Sequence, residues 1–95
     1  MPPKAEMLLL PKELTQLQAT KCLAELGHGL RSVAGQNVVV DATELVRFDS
    51  AALAVLLDFR RQCLALGKQF QVHGLAPRLL DLAALYGIQE LLPSA

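Results

Sequence analysis

The run Val38-Val39-Val40 restricts the fold of this chain more than any other feature. Three β-branched residues in a row lose side-chain freedom in a helix and fit an extended strand. The run is continuous rather than alternating, and polar Asn37 and Asp41 bound it. A strand that is apolar on both faces suits a parallel sheet buried by helices.

Two more segments read as strands. Met7-Leu8-Leu9-Leu10 is a continuous apolar run stopped by Pro11, and Gln69-Phe70-Gln71-Val72-His73 alternates and ends at Gly74. Helical patterns lie between and after them. From Thr15 to about Leu26, Leu17, Leu23 and Leu26 recur, with Ala19 and Cys22 on the same side. Gly27-His28-Gly29 weakens this helix, which resumes through Leu30 to Ala34 with Gly35 as its stop. A second helix runs from about Ser50 to Leu66, ended by Gly67. A third starts at Pro77, a residue suited to the first helical position, and reaches Tyr86 before Gly87. Ile88 to Leu92 adds one turn. The alternation predicts an α/β fold with parallel strands and right-handed crossovers. At 95 residues, with no linker, repeat or low-complexity segment, residues 1–95 form one domain.

Composition excludes several classes of function. Lys plus Arg number 9 and Asp plus Glu number 9, so the net charge is zero. A basic domain that coats itself on phosphates is excluded on that balance. Aromatic residues are 4% with no Trp, too few for a stacking platform, so nucleic acid is not an expected partner. Apolar residues reach 53% and charged residues only 19%, against about 25% in ordinary domains, which predicts apolar surface hidden against a partner. Cys22 and Cys63 lack CxxC spacing and fall in helical patterns, so they read as buried reduced thiols. No apolar run approaches the roughly 18–20 residues needed to span a bilayer, and Met7 to Leu10 is too short for a signal peptide. The expected location is cytoplasmic, peripheral to the membrane only through a partner.

No phosphate loop, HExxH, GxSxG or CxxC motif is present. His28 and His73 are isolated and read as surface or strand-end residues; no metal or cofactor is expected. Asp41 and Asp49 both end elements and read as caps that can converge. The informative segment is Phe48-Asp49-Ser50-Ala51-Ala52-Leu53, where a strand-to-helix loop ends in Asp49 and Ser50 enters the first helical turn. A phosphate on Ser50 would meet free backbone N–H groups and the positive helix end, opposed by the like charge of Asp49. Within the helix, Ala52, Val55, Leu56, Phe59, Cys63 and Leu66 form one stripe at 100° per residue. Leu53, Leu57 and Leu64 form a second beside Ser50, bordered by Arg60 and Arg61. One stripe covers the sheet; the other packs on a neighbouring helix or meets a partner.

The Phe48–Leu53 segment resembles the Asp-Ser-Ser-Gly-Leu or Asp-Thr-Gly-Gly-Leu motif of STAS domains, the family that includes the anti-sigma factor antagonists. Val72-His73-Gly74-Leu75-Ala76-Pro77-Arg78-Leu79-Leu80-Asp81-Leu82-Ala83 resembles that family's strand, glycine turn and last helix. The ending Leu85-Tyr86-Gly87-Ile88-Gln89-Glu90-Leu91-Leu92-Pro93 is most similar to the MlaB-like cytoplasmic STAS subunit of the Mla phospholipid ABC transporter. The resemblance covers about residues 7–93.

The resemblance implies a STAS-type β/α superhelix, a small and mainly parallel sheet with helices mostly on one face. It implies a regulatory or phosphorylatable role for Ser50 and a non-enzymatic partner-binding surface of Asp49, Ser50, Leu53, Leu57, Arg60 and Arg61. In the transporter branch the partner is the ABC ATPase subunit; in the antagonist branch it is an anti-sigma factor kinase that phosphorylates Ser50. A small hydrolase or transferase built on Asp49 and Ser50 is the remaining class, disfavoured because no base lies near in sequence. Two departures stand out. Ala51 and Ala52 replace the motif's glycines, which stiffens the helix start and crowds the approach of a kinase. The family's extra N-terminal strand has no counterpart before Met7. The first strand is therefore expected to be a bare edge, blunted by Pro2, Pro3, Pro11, Lys4 and Glu6, and the chain to form a weak homodimer through that edge or through exposed apolar surface of the helices.

Overall fold

In the computed structural model, which describes residues 6–95, Val38, Val39 and Val40 occupy the middle of the central strand β3 (Asn37–Asp41). β1 (Glu6–Leu9) and β5 (Gln69–His73) flank it, both parallel, in the order β1-β3-β5. Met7, Val39 and Gln71 stand in register, as do Leu8, Val40 and Val72. Because side chains alternate across a strand, these rows point to opposite faces of the sheet.

One face carries the core. Leu10, Val38, Val40, Phe70 and Val72 join a single buried cluster with residues from all three helices, α1 (Ala19–Arg31), α2 (Ser50–Ala65) and α3 (Pro77–Leu85). Phe59 lies at its centre, fully buried, with Phe70 edge-to-face at 6.2 Å between ring centroids. On the other face Met7 and Leu9 are 49% and 62% exposed, while Val39, on the central strand, is 5% exposed. Continuous apolarity thus marks burial on both faces for β3 but not for β1, an edge strand with helices on one side only. Pro2, Pro3 and Lys4 lie outside the described residues.

Two elements escape the sequence pattern because they are two residues long. β2 (Glu13–Leu14) and β4 (Arg47–Phe48) pair parallel to each other, with Leu14 fully buried. They precede α1 and α2 respectively, so the first two crossovers share one plan. The chain end also returns to the sheet: a 3-10 turn at Gln89–Leu91 leads to Val72 N–H donating to Pro93 O at 2.8 Å and Ala95 N–H to Val72 O at 2.9 Å. That segment covers the outer edge of β5.

α1 departs from expectation at both ends. It starts at Ala19 rather than near Thr15, and it passes through Gly27-His28-Gly29 without a break. Cys22, Leu26 and Leu30 are buried at i, i+4 and i+8, and their burial outweighs the roughly 1 kcal/mol that each glycine costs. Gly29 has a packing reason: a Cβ there would sit 3.0 Å from Leu8 Cδ2, so the helix lies close on β1. Leu17, assigned to the helix by its spacing, precedes it and is 85% exposed. Beyond α1, the Lys68 ammonium donates to the carbonyls of Val33 and Gly35.

On α2 the first stripe faces inward: Ala52, Val55, Leu56, Phe59 and Cys63 are buried, and Leu66 lies past the last turn, exposed. Phe59→Ala should therefore cost about 3–5 kcal/mol, a large share of the roughly 5–15 kcal/mol total for such a domain. Leu9→Lys, on the open face, should stay within about 0.5 kcal/mol. Chemical denaturation of the two variants checks the assignment, and equal losses would contradict it.

Candidate functional site

All three crossovers leave the carboxyl ends of the strands, where parallel α/β sheets place their working surfaces. β3 ends in a tight turn in which Asp41 Oδ1 accepts from the Thr43 N–H at 3.0 Å and from the Thr43 hydroxyl at 2.7 Å. These bonds, the backbone one foremost, hold the Asp41 carboxyl below its usual range, with a smaller attraction from His73. Gly74, at φ 72°, makes the turn after β5 against Thr43. β4 then carries the chain to Asp49.

Asp49 is extended (φ −133°, ψ −168°) and caps α2, its Oδ1 accepting from the Ala51 N–H at 2.8 Å. Its other oxygen reaches a different element: Oδ2 accepts from the Gln16 N–H at 3.2 Å, in the turn before α1. One carboxylate therefore satisfies an orphan donor of the helix and ties down a loop 33 residues away. Asp41 and Asp49 do not converge on a shared partner; each serves its own backbone.

Ser50 is the first residue of α2 and is exposed. From it an outward line runs along the helix through Ala54, Leu57, Arg61 and Leu64, at alternating spacings of four and three that keep one face. Ser50, Ala54, Arg61 and Leu64 are exposed and Leu57 is half-buried. Arg60 lies to one side, half-buried. Leu53 must be withdrawn from a contact surface: at 2% exposure it belongs to the same core cluster as Leu79 and Ala83 of α3. The second stripe thus splits: Leu53 joins the core at the start of α2, while Leu64 stays open. Of the two alanines that replace glycines, Ala52 is wholly buried and Ala51 half-buried, so Ala52 does not crowd the approach to Ser50.

Charged groups surround this corner. The Arg78 guanidinium sits 5.8 Å over the Phe48 ring, a contact worth about 0.5–1 kcal/mol where exposed. Arg47 pairs with Glu13 at 3.3 Å across β2 and β4, with side chains 76% and 49% exposed, so the pair contributes little stability. His73 closes β5 and His28 lies on α1, both exposed. Among the described residues no group of three or more His, Cys, Asp or Glu converges as metal ligands, and no helix is long and apolar enough to cross a membrane. The surface presents the exposed Ser50 hydroxyl, a capping carboxylate, arginines and a strip of small and apolar side chains. Such a surface suits contact with a protein.

The cysteines stand apart from it. Both are free and buried. Burial pushes the Cys22 thiol up to about 11, with Glu25 adding to the shift. Burial likewise pushes Cys63 up to about 11, against a smaller opposing pull from Lys68.

The family model described as "Mlab, STAS domain" matches residues 2–93. Several solved structures share the fold. A candidate anti-sigma factor antagonist from Thermotoga maritima has a TM-score of 0.77 at 12% identity, covering 98% of this chain and 83% of its own. An anti-sigma-factor antagonist (STAS) domain protein from Planctomyces limnophilus has a TM-score of 0.77 at 13% identity, covering 93% and 79%. The anti-sigma factor antagonist SpoIIAA, in its unphosphorylated form, has a TM-score of 0.72 at 16% identity, covering 97% and 82%. No curated protein sequence matches the chain.

The thiols generate a pH prediction. A thiol whose folded pKa lies above its unfolded value favours the fold fully below the unfolded value. That contribution is lost as pH rises toward the folded value. Stability should therefore fall from about pH 9 toward about 11. Below that window a soluble thiol reagent should label the native chain only as fast as it opens. Rapid native labelling at pH 8 would contradict the burial.

Proposed function

This chain belongs to the STAS family described as Mlab, and on that premise we propose that it is a non-enzymatic subunit that docks on the ATPase of an ABC phospholipid transporter and steadies or regulates it. The match of that family model across residues 2–93 carries the reading. The outward line Ser50-Ala54-Leu57-Arg61-Leu64, exposed but for half-buried Leu57, supports it by offering a protein-contact strip at the family's regulatory position. The subunit would be cytoplasmic and reach the membrane only through its partner.

A second reading, an anti-sigma factor antagonist switched by phosphorylation of Ser50, is favoured by one observation. Three of the solved relatives carry that description, one of them in an unphosphorylated form, and Ser50 is exposed at a helix start. Phosphate at Ser50 would then break the contact with a kinase partner.

Ser50→Asp and Arg61→Glu separate binding from folding. An acid in the first turn agrees with the helix dipole, and Arg61 is an exposed residue whose substitution stays within about 0.5–1 kcal/mol, so both variants should remain folded with melting temperatures within a few degrees of wild type. Each should weaken the ATPase complex about tenfold or more, since a charge buried without a partner at a contact costs several kcal/mol. Titration with the purified ATPase tests this, and full affinity in both variants overturns the assigned strip. Stable capture of an anti-sigma kinase instead of the ATPase selects the second reading.

We also propose a weak homodimer, either through the β1 edge or through the exposed apolar surface of the helices. Sedimentation at high concentration should show it; Leu9→Lys should dissolve an edge dimer and Leu57→Arg a helix-face dimer. A strict monomer at millimolar concentration removes it.

A further inference from the structure

Among the described residues nothing pairs with the outer edge of β1, whereas the chain end covers that of β5. The Leu10 N–H donates to Asp41 O at 2.9 Å. Backbone groups alternate sides along a strand, so Leu8 shares that side, and Met7 and Leu9 turn their N–H and C=O groups away from β3. Beside this edge, on the helix face, runs a groove. Leu8, Leu10 and Pro11 form one wall and Cys22, Glu25 and Leu26 of α1 the other, around a cavity of about 300 Å³. Glu25 is the only charged residue in that lining. It is exposed and, among the described residues, has no ion-pair partner. It stands near enough to the opposite end of the wall to add to the upward shift of the Cys22 thiol.

We propose that this edge and groove bind an extended peptide segment of another protein, which adds to β1 as a further strand, sets an apolar side chain in the groove and brings a basic one to Glu25. The inference is independent of the ATPase reading. The free groups of Met7 and Leu9 lie two residues apart, about 7 Å along the strand. An extended backbone presents its own donors and acceptors at that spacing, whereas a helix bonds its groups internally. Side chains of an added strand alternate, so every second one falls on the groove side. The unpaired carboxylate of Glu25 selects a cation among them. A second copy fits less well. Antiparallel pairing of two β1 strands is two-fold symmetric, so it brings both helix faces, each with its Glu25, to one side of the joined sheet. Like charges there keep that pairing weak, and a basic segment meets no such repulsion.

The test titrates the full chain with the end-blocked peptide Thr-Val-Thr-Leu-Thr-Lys-Thr, whose Val, Leu and Lys share one face. At saturation it should slow hydrogen exchange at the Met7 and Leu9 amides about tenfold or more and leave the Leu57 amide unchanged. Only one edge of the added strand faces β1. N-methylation of one alternate set of peptide residues should therefore abolish binding, and methylation of the other set should not. Glu25→Lys, an exposed substitution, should stay folded and weaken binding about fivefold. It should also reverse the preference, toward the peptide with Glu in place of Lys. No binding at millimolar peptide, or binding without protection at Met7 and Leu9, overturns the proposal. Equal effects of the two methylation sets overturn strand addition. Unchanged affinity in Glu25→Lys overturns the selection of a basic side chain. Protection of the same two amides that grows with protein concentration, and that the peptide does not displace, assigns the edge to a second copy and overturns the peptide as occupant.

Discussion

Parallel pairing of β1, β3 and β5 governs everything else in this domain. Parallel neighbours cannot be joined by hairpins, so each strand must be followed by a crossover. Right-handed crossovers between strands taken in sequence order fall on the same side. All three helices therefore contribute to one core on one face. The same constraint sends every strand-to-helix connection to the carboxyl end of the sheet. The surface built there is a by-product of topology.

Within that frame a few polar contacts do the aligning. Asp49 is the clearest, since one carboxylate fixes the start of α2 and the turn before α1. Asp41 fixes the turn after β3 through Thr43. Neither contact is strong by itself in solvent, where a hydrogen bond contributes about 1 kcal/mol net, more when charged. Their effect is to make a corner assembled from three separate loops behave as one surface.

The sequence shows the central strand and the second and third helices to within a residue or two, because each has a periodicity signal and clear stops. Gly67 and Gly87 adopt positive φ just past the ends of α2 and α3, and Pro77 opens α3. β2 and β4 are invisible to periodicity, since two residues have no period. The path of α1 misleads for two reasons. Leu17 fits a helical spacing that a Thr15–Gln18 turn overrides, and Gly27 and Gly29 read as a break that buried neighbours carry through. At the candidate site, Asp49, Ser50 and the outward face near Arg61 follow from spacing and family motif. The burial of Leu53 does not, because which flank of α2 is covered depends on the tertiary packing and not on the helix's own period. Leu17 and Val46 escape notice because an apolar residue in sequence reads as core until the fold leaves it outside.

The strand register has a kinetic consequence. Val38 pairs 32 residues after Glu6, and Gln69 pairs 32 residues after Asn37, so no strand in the main sheet can pair with a near neighbour in the chain. Each pairing must first close a long loop before any contact repays it. During synthesis, β3 emerges with three valines and its later partner still inside the ribosome. Until β5 arrives, one of its edges and both its faces are poorly covered. The helices, whose contacts are local, are the natural place for order to begin, and the three valines are the segment that most needs shelter while the chain is unfinished.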